Sequence, residues 1–99
     1  MFREIESIED IQKGKVIVDF YSKTCAPCKR MLKVMEQLAS QDENINIIKI
    51  DTASNIGIKL AADMHVSSLP SIKILEDGEE KASFIGITNP NNILEAYKL

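Results

Sequence analysis

The spacing of apolar side chains changes period several times along this chain, and each change predicts an element. Lys15 to Tyr21 carries Val-Ile-Val-Asp-Phe-Tyr after its lysine, an apolar run continuous enough for a strand covered on both faces. From Pro27 to about Ala39 the apolar positions are Met31, Leu32, Met35, Leu38 and Ala39. Offsets of three and four place them on one buried helical stripe. Ile45 to Ile50 is a second β-branched run. With a helix between them, the two strands pair in parallel through a right-handed crossover. Ile56, Leu60 and Met64 predict a further helix, weakened by Gly57. Ser71–Glu76 and Lys81–Ile85 flank Asp77-Gly78-Glu79-Glu80, the short connection of an antiparallel hairpin. Asn89 with Pro90 behind it starts a last helix, whose inward face is Ile93, Leu94 and Tyr97. Ahead of all these, Ser7 and Asp10 cap a short helix with Ile8 and Ile11 on its inner side. Gln41-Asp42-Glu43-Asn44 reads as a loop. The order is βαβ, a helix, then ββα: an α/β chain with a mixed sheet and helices on both faces.

Composition narrows the class. Ninety-nine residues, 44% hydrophobic and 27% charged, suit one small domain spanning 1–99. No repeat, low-complexity stretch or linker divides it. The net charge of −3, with both signs mixed along the chain, argues against nucleic acid or an anionic membrane as main partner. No apolar run approaches the length of a membrane span. Met1-Phe2-Arg3-Glu4-Ile5-Glu6 lacks the basic start and apolar stretch of a signal peptide, so a cytoplasmic location is expected.

The two cysteines carry the chemistry. A secreted disulfide scaffold of this size would hold four or more; here there are only Cys25 and Cys28, three positions apart. Thr24-Cys25-Ala26-Pro27-Cys28-Lys29 lies between a strand and the helix that follows it. At a helix start, free N–H groups and the dipole favour negative charge, and the thiolate is the nucleophile. Pro27 has no N–H to lose in the first turn. Cys28 lies about one turn further in on the same side, so a disulfide can close. One sulfur attacks a target disulfide and the other resolves the mixed disulfide. Two readings compete with this one. Half of a zinc site would need further ligands, and His65 is the only histidine. The other alternative is a pair of inert core cysteines.

Several stretches together resemble the thioredoxin family over nearly the whole chain. Val18-Asp19-Phe20-Tyr21 followed by Cys25-Ala26-Pro27-Cys28-Lys29 is similar to VDFW…WCGPCK, and Ile48-Lys49-Ile50-Asp51 to the K-V-D strand. Ser68-Leu69-Pro70-Ser71 resembles the S-I-P-T turn. Leu75-Glu76-Asp77-Gly78-Glu79 and Phe84-Ile85-Gly86 resemble the F-x-D-G-x and F-x-G elements. There are departures as well. Thr24 stands in place of a tryptophan, Ala26 in place of glycine, and Tyr21 where tryptophan is common. The stretch from Asp51 to Pro70 is slightly longer than usual. The resemblance implies a thioredoxin fold and a protein-disulfide reductase with a redox-active Cys25–Cys28 disulfide. It implies no bound cofactor, disulfide-containing protein targets, recycling by an external NADPH-dependent thioredoxin reductase, and a monomer. A lowered pKa of the first cysteine is a known property of the family.

The supporting residues follow. Asp19 sits within an apolar strand, on the opposite face from Val18 and Phe20. If both faces are covered, desolvation raises its pKa and makes it a candidate base; an edge-exposed aspartate is the plain alternative. The resemblance implies that it takes the proton of Cys28, with Lys49 as its partner; Lys49 can equally be an ordinary solvated lysine. Pro70 can be an ordinary turn proline. By resemblance its bond to Leu69 is cis and lies against the dithiol, where the residue before it offers backbone groups to an extended target. Gly86 admits close backbone approach, to a partner or in a bulge. Thr24, Ala26 and Pro27 complete the expected target-contacting set. Met31, Met35 and Met64 read as core, and His65 has no assigned role. A glutaredoxin-like, glutathione-dependent reductase and a non-enzymatic binding module are the rival functions. The first lacks its CPYC-type motif and Gly-Gly pair here.

Overall fold

The apolar run at residues 15–21 becomes the middle of a five-stranded sheet. In the computed structural model, which describes residues 1–99, the strands are β1 (Phe2–Glu4), β2 (Lys15–Tyr21), β3 (Ile47–Asp51), β4 (Ser71–Glu76) and β5 (Glu79–Ile85). Their spatial order is β1-β3-β2-β4-β5. β3 runs parallel to both β1 and β2, while β4 is antiparallel to β2 and to β5. The helices are α1 (Ala26–Gln41), α2 (Asn55–Asp63) and α3 (Pro90–Lys98), with a 3-10 turn at Ile8–Ile11.

Strand alternation divides the core into two layers. On one face Ile17, Ile47, Ile72 and Ile74 pack against Met31, Met35 and Leu38 of α1 and Ile93 of α3. On the other face Val16, Val18, Phe20, Ile48, Ile50 and Leu75 meet Ile11 and Leu60 of α2. Residues 16–20 of β2 are wholly buried, which accounts for their lack of alternation.

Some elements differ from the expectation. β1 was not anticipated: three residues are too few for a pattern, and pairing with β3 defines the strand. β3 begins at Ile47, and α1 extends from Ala26 through Gln41, so Gln41 is helical rather than loop. Leu32 is only half-buried at the margin of the α1 stripe. Ile11 is buried, but Ile8, at the first position of the 3-10 turn, keeps 37% exposure. The hairpin is closer than expected. β5 starts at Glu79, leaving Asp77 and Gly78 as a two-residue turn with φ of 52° and 85°, the signs a type I′ turn requires. Gly57, which lowers helix propensity, has a packing reason. A Cβ there would overlap the Asp51 carbonyl, so glycine lets α2 sit against the end of β3.

Candidate active site

Register brings the chemistry to one end of the sheet. Phe20 of β2 pairs with Ser71 of β4, and Ser71 with Ile85 of β5. The segments holding the cysteines, Pro70 and Gly86 therefore leave the sheet side by side.

After β2, Ser22 organises the turn into α1. Its Oγ accepts the Thr24 N–H at 3.3 Å and lies 3.1 Å from Thr24 Oγ1; its carbonyl accepts the Cys25 N–H at 3.3 Å. Cys25 is the N-cap of α1, with extended φ and ψ, and its Sγ accepts the Cys28 N–H at 3.2 Å. A sulfur thus occupies the place of a capping oxygen, where the helix end favours negative charge. Pro27 fits the first turn, where no N–H is needed. The two cysteines form a disulfide with Cα atoms 5.2 Å apart. Cys25 is half-buried and Cys28 fully buried, continuing the inward stripe of Met31 and Met35.

Asp19 is the next residue of β2 on that same face after Ile17. It has no exposed surface, and neither carboxylate oxygen has a hydrogen-bond partner. Burial pushes its carboxyl up to about 8, with the positive charge of Lys49 opposing. Lys49 is its register partner on β3 and is half-buried. The Lys49 ammonium lies over the rings of Phe2, at 5.5 Å, and Tyr21, at 5.7 Å. The Tyr21 hydroxyl donates to Glu4 Oε1 at 2.5 Å, and Glu4 Oε2 accepts the Asp51 N–H at 3.2 Å. Burial and the Glu4 carboxylate both hold the Tyr21 phenol above its ordinary range.

The Leu69–Pro70 bond is cis, Pro70 is buried, and its carbonyl accepts the Gly86 N–H at 2.8 Å. Space is open where a Gly86 Cβ would stand, so a φ of 82°, not a close approach, is what calls for glycine. Leu69 packs at the edge of the α2 layer, and Thr24 and Ala26 are exposed beside the disulfide. Sequence reasoning missed Phe2 and Glu4. Nothing in the Phe2-Arg3-Glu4-Ile5 pattern signals them; pairing of β1 with β3 sets Phe2 and Glu4 on one face, opposite Ile47 and Lys49.

Comparison with known proteins decides what kind of dithiol this is. The thioredoxin family model matches residues 3–98. The chain belongs to the thioredoxin family. Among its relatives, thioredoxin of Staphylococcus saprophyticus is 35% identical over 91% of this chain and 86% of its own. Thioredoxin of Chlamydia trachomatis is 30% identical over 88% and 83%. A mutant thioredoxin from Halobacterium salinarum superposes with a TM-score of 0.81 at 25% identity, covering 99% of this chain and 87% of that one. Spinach chloroplast thioredoxin f gives 0.83 at 22% identity, covering 98% and 90%, and supports the fold. The protein has the thioredoxin fold and is a protein-disulfide oxidoreductase whose redox-active centre is the Cys25–Cys28 pair. Membership of the family implies, in general, disulfide-bearing targets and a thioredoxin reductase. No helix is long and apolar enough to cross a membrane.

Proposed function

We propose that this thioredoxin, acting as a single domain, reduces protein disulfides with Cys25 as nucleophile and Cys28 as resolver. The Cys25 thiolate attacks one sulfur of a target disulfide, forming a mixed disulfide and releasing the other target sulfur as a thiolate. Cys28 then attacks Cys25 Sγ, restoring the Cys25–Cys28 disulfide and expelling the second target thiolate. The target gains two electrons, and an NADPH-dependent reductase supplies two more to the Cys25–Cys28 disulfide, restoring the dithiol. Asp19 takes the Cys28 proton. An acid near 8 is close to an ordinary thiol at about 8.5, the match that favours proton transfer between them. Lys49 moderates Asp19. Thr24, Ala26, Pro27, Leu69, Pro70 and Gly86 line the end of the molecule that meets the target.

The observation that carries this reading is the asymmetry of the sulfurs: Cys25 half-exposed at the N-cap, Cys28 wholly buried one turn inside. A protein segment suits the open surface, since neither cysteine lines any of the four cavities. A lone vicinal cysteine pair fits a reducing compartment, so we place this cycle, and its role in cellular electron transport, in the cytoplasm with the protein as a monomer. The test is trapping. Cys28→Ser should accumulate targets as mixed disulfides through Cys25, whereas Cys25→Ser should trap almost none. Limiting iodoacetamide should label Cys25 first in the reduced protein; preferential labelling of Cys28 would reverse the roles.

A further inference from the structure

Three charged side chains form a row across the α1 face of the sheet. Glu4 of β1 and Asp19 of β2 are the register partners of Lys49 of β3, and register partners share a face. A lysine between two carboxylates ordinarily pairs with one of them, yet Lys49 forms an ion pair with neither. The two carboxylates differ in their other partners. Asp19 has none. Glu4 has both oxygens engaged, Oε1 by the Tyr21 hydroxyl at 2.5 Å and Oε2 by the Asp51 N–H at 3.2 Å. Tyr21 acts twice here, because its ring, with that of Phe2, also lies beneath the Lys49 ammonium.

We propose that the Tyr21 hydroxyl, by occupying Glu4, prevents Glu4 from capturing Lys49 and leaves the lysine's charge to act on Asp19. Glu4 and Tyr21 are then positioning residues for the resolving step, a role that rests on Asp19 being the base described above. The surroundings leave few other charges to do this. From β3, Lys49 and Asp51 share the face of Asp19; from β1, Glu4; from β2, Tyr21. On α1 the buried titratable side chain is Cys28, while Lys29, Arg30, Lys33 and Glu36 are exposed. The β4 partner is Ile72 and the buried residue of α3 is Ile93. On α3, Glu95 and Lys98 are exposed, and the Tyr97 hydroxyl donates to the Lys15 and Asn44 carbonyls.

The experiment follows the Asp19 carboxyl by carbon NMR titration in the oxidised protein, where the cysteines do not titrate. Tyr21→Phe should free Glu4 to take Lys49 and raise the Asp19 midpoint by about one pH unit, the low end of what an adjacent opposite charge supplies. Adding Glu4→Gln to Tyr21→Phe removes the competitor and should bring the midpoint back. Lys49→Met should raise it at least as far, and adding Tyr21→Phe to Lys49→Met should change nothing more. An unmoved midpoint in Tyr21→Phe, or a shift that Glu4→Gln does not reverse, overturns the proposal. Asp19→Asn, assayed by the pH profile of insulin-disulfide reduction, tests the base assignment separately. A profile unchanged by that variant removes Asp19 from the resolving step, and with it the positioning role, whatever the NMR midpoints show.

Discussion

Replacing Asp19 with Asn should make the stability of the oxidised protein less dependent on pH, with a slope that the structure specifies. The unfolded chain ionises this carboxyl near its ordinary 3.8, whereas burial holds it up to about 8 in the folded state. Between those values the folded state keeps a proton that the unfolded state has lost. Stability therefore falls as pH rises through the window, by about 1.4 kcal/mol per pH unit. Relative to Asp19→Asn, the wild type should lose on the order of 3 kcal/mol between pH 5 and pH 7. The loss should level off above about pH 8. A buried amide lacking partners adds a penalty of its own, but that penalty is the same at every pH and leaves the slope unaltered. Other titrating groups are common to both proteins and cancel in the difference. Urea unfolding of the two proteins at half-unit intervals from pH 4 to pH 9 measures it. A stability difference constant over that range would refute the reasoning, because the carboxyl would then titrate alike folded and unfolded.

Four other substitutions probe the fold. Gly57→Ala should destabilise by about 1–3 kcal/mol despite alanine's better helix propensity, since α2 must move off the Asp51 carbonyl; thermal unfolding reads this directly. Lys73 is buried on β4 and donates to Glu80 at 2.7 Å and to Ser83 at 3.2 Å. Glu80→Ala should cost about 1–3 kcal/mol by leaving that ammonium under-paired, whereas Lys73→Met should be neutral or stabilising; urea midpoints distinguish the two. Asp10 accepts N–H groups from Glu6 and Ser7 and a guanidinium bond from Arg3, which holds its carboxyl well below the usual range. Asp10→Ala should cost about 1 kcal/mol, seen as faster amide exchange over residues 6–11.

Features that a short window of residues determines were legible before the structure. The α1 stripe of Met31, Met35 and Leu38, the buried character of β2 and the Asn89-Pro90 start of α3 all depend on local periodicity or capping. The position of Cys25 at a helix start followed from the same reasoning, as did an inward-facing Asp19 on a doubly covered strand. What stayed hidden depends on distant partners. Phe2–Glu4 becomes a strand only because β3 is there to receive it. Gly57 looked like a defect until Asp51 lay beneath it. The hairpin was drawn too long because Glu79 and Glu80 look like loop residues; pairing to Glu76 and Leu75 makes them strand. The setting of Lys49 was hidden for the same reason, since its neighbours Phe2, Glu4 and Tyr21 come from two other strands.

The margins of the sheet have a consequence for the protein at high concentration. Its outer strands are β1 and β5, and each resists extension in its own way. β1 offers only three residues of backbone, too little for another chain to grip. β5 is longer, but it opens with Glu79, Glu80 and Lys81, all exposed. A second copy laid alongside would have to strip the water from these charges. Edges of this kind discourage sheets from growing across molecules. The protein should therefore stay dispersed in a crowded solution, and light scattering should rise only in proportion to concentration.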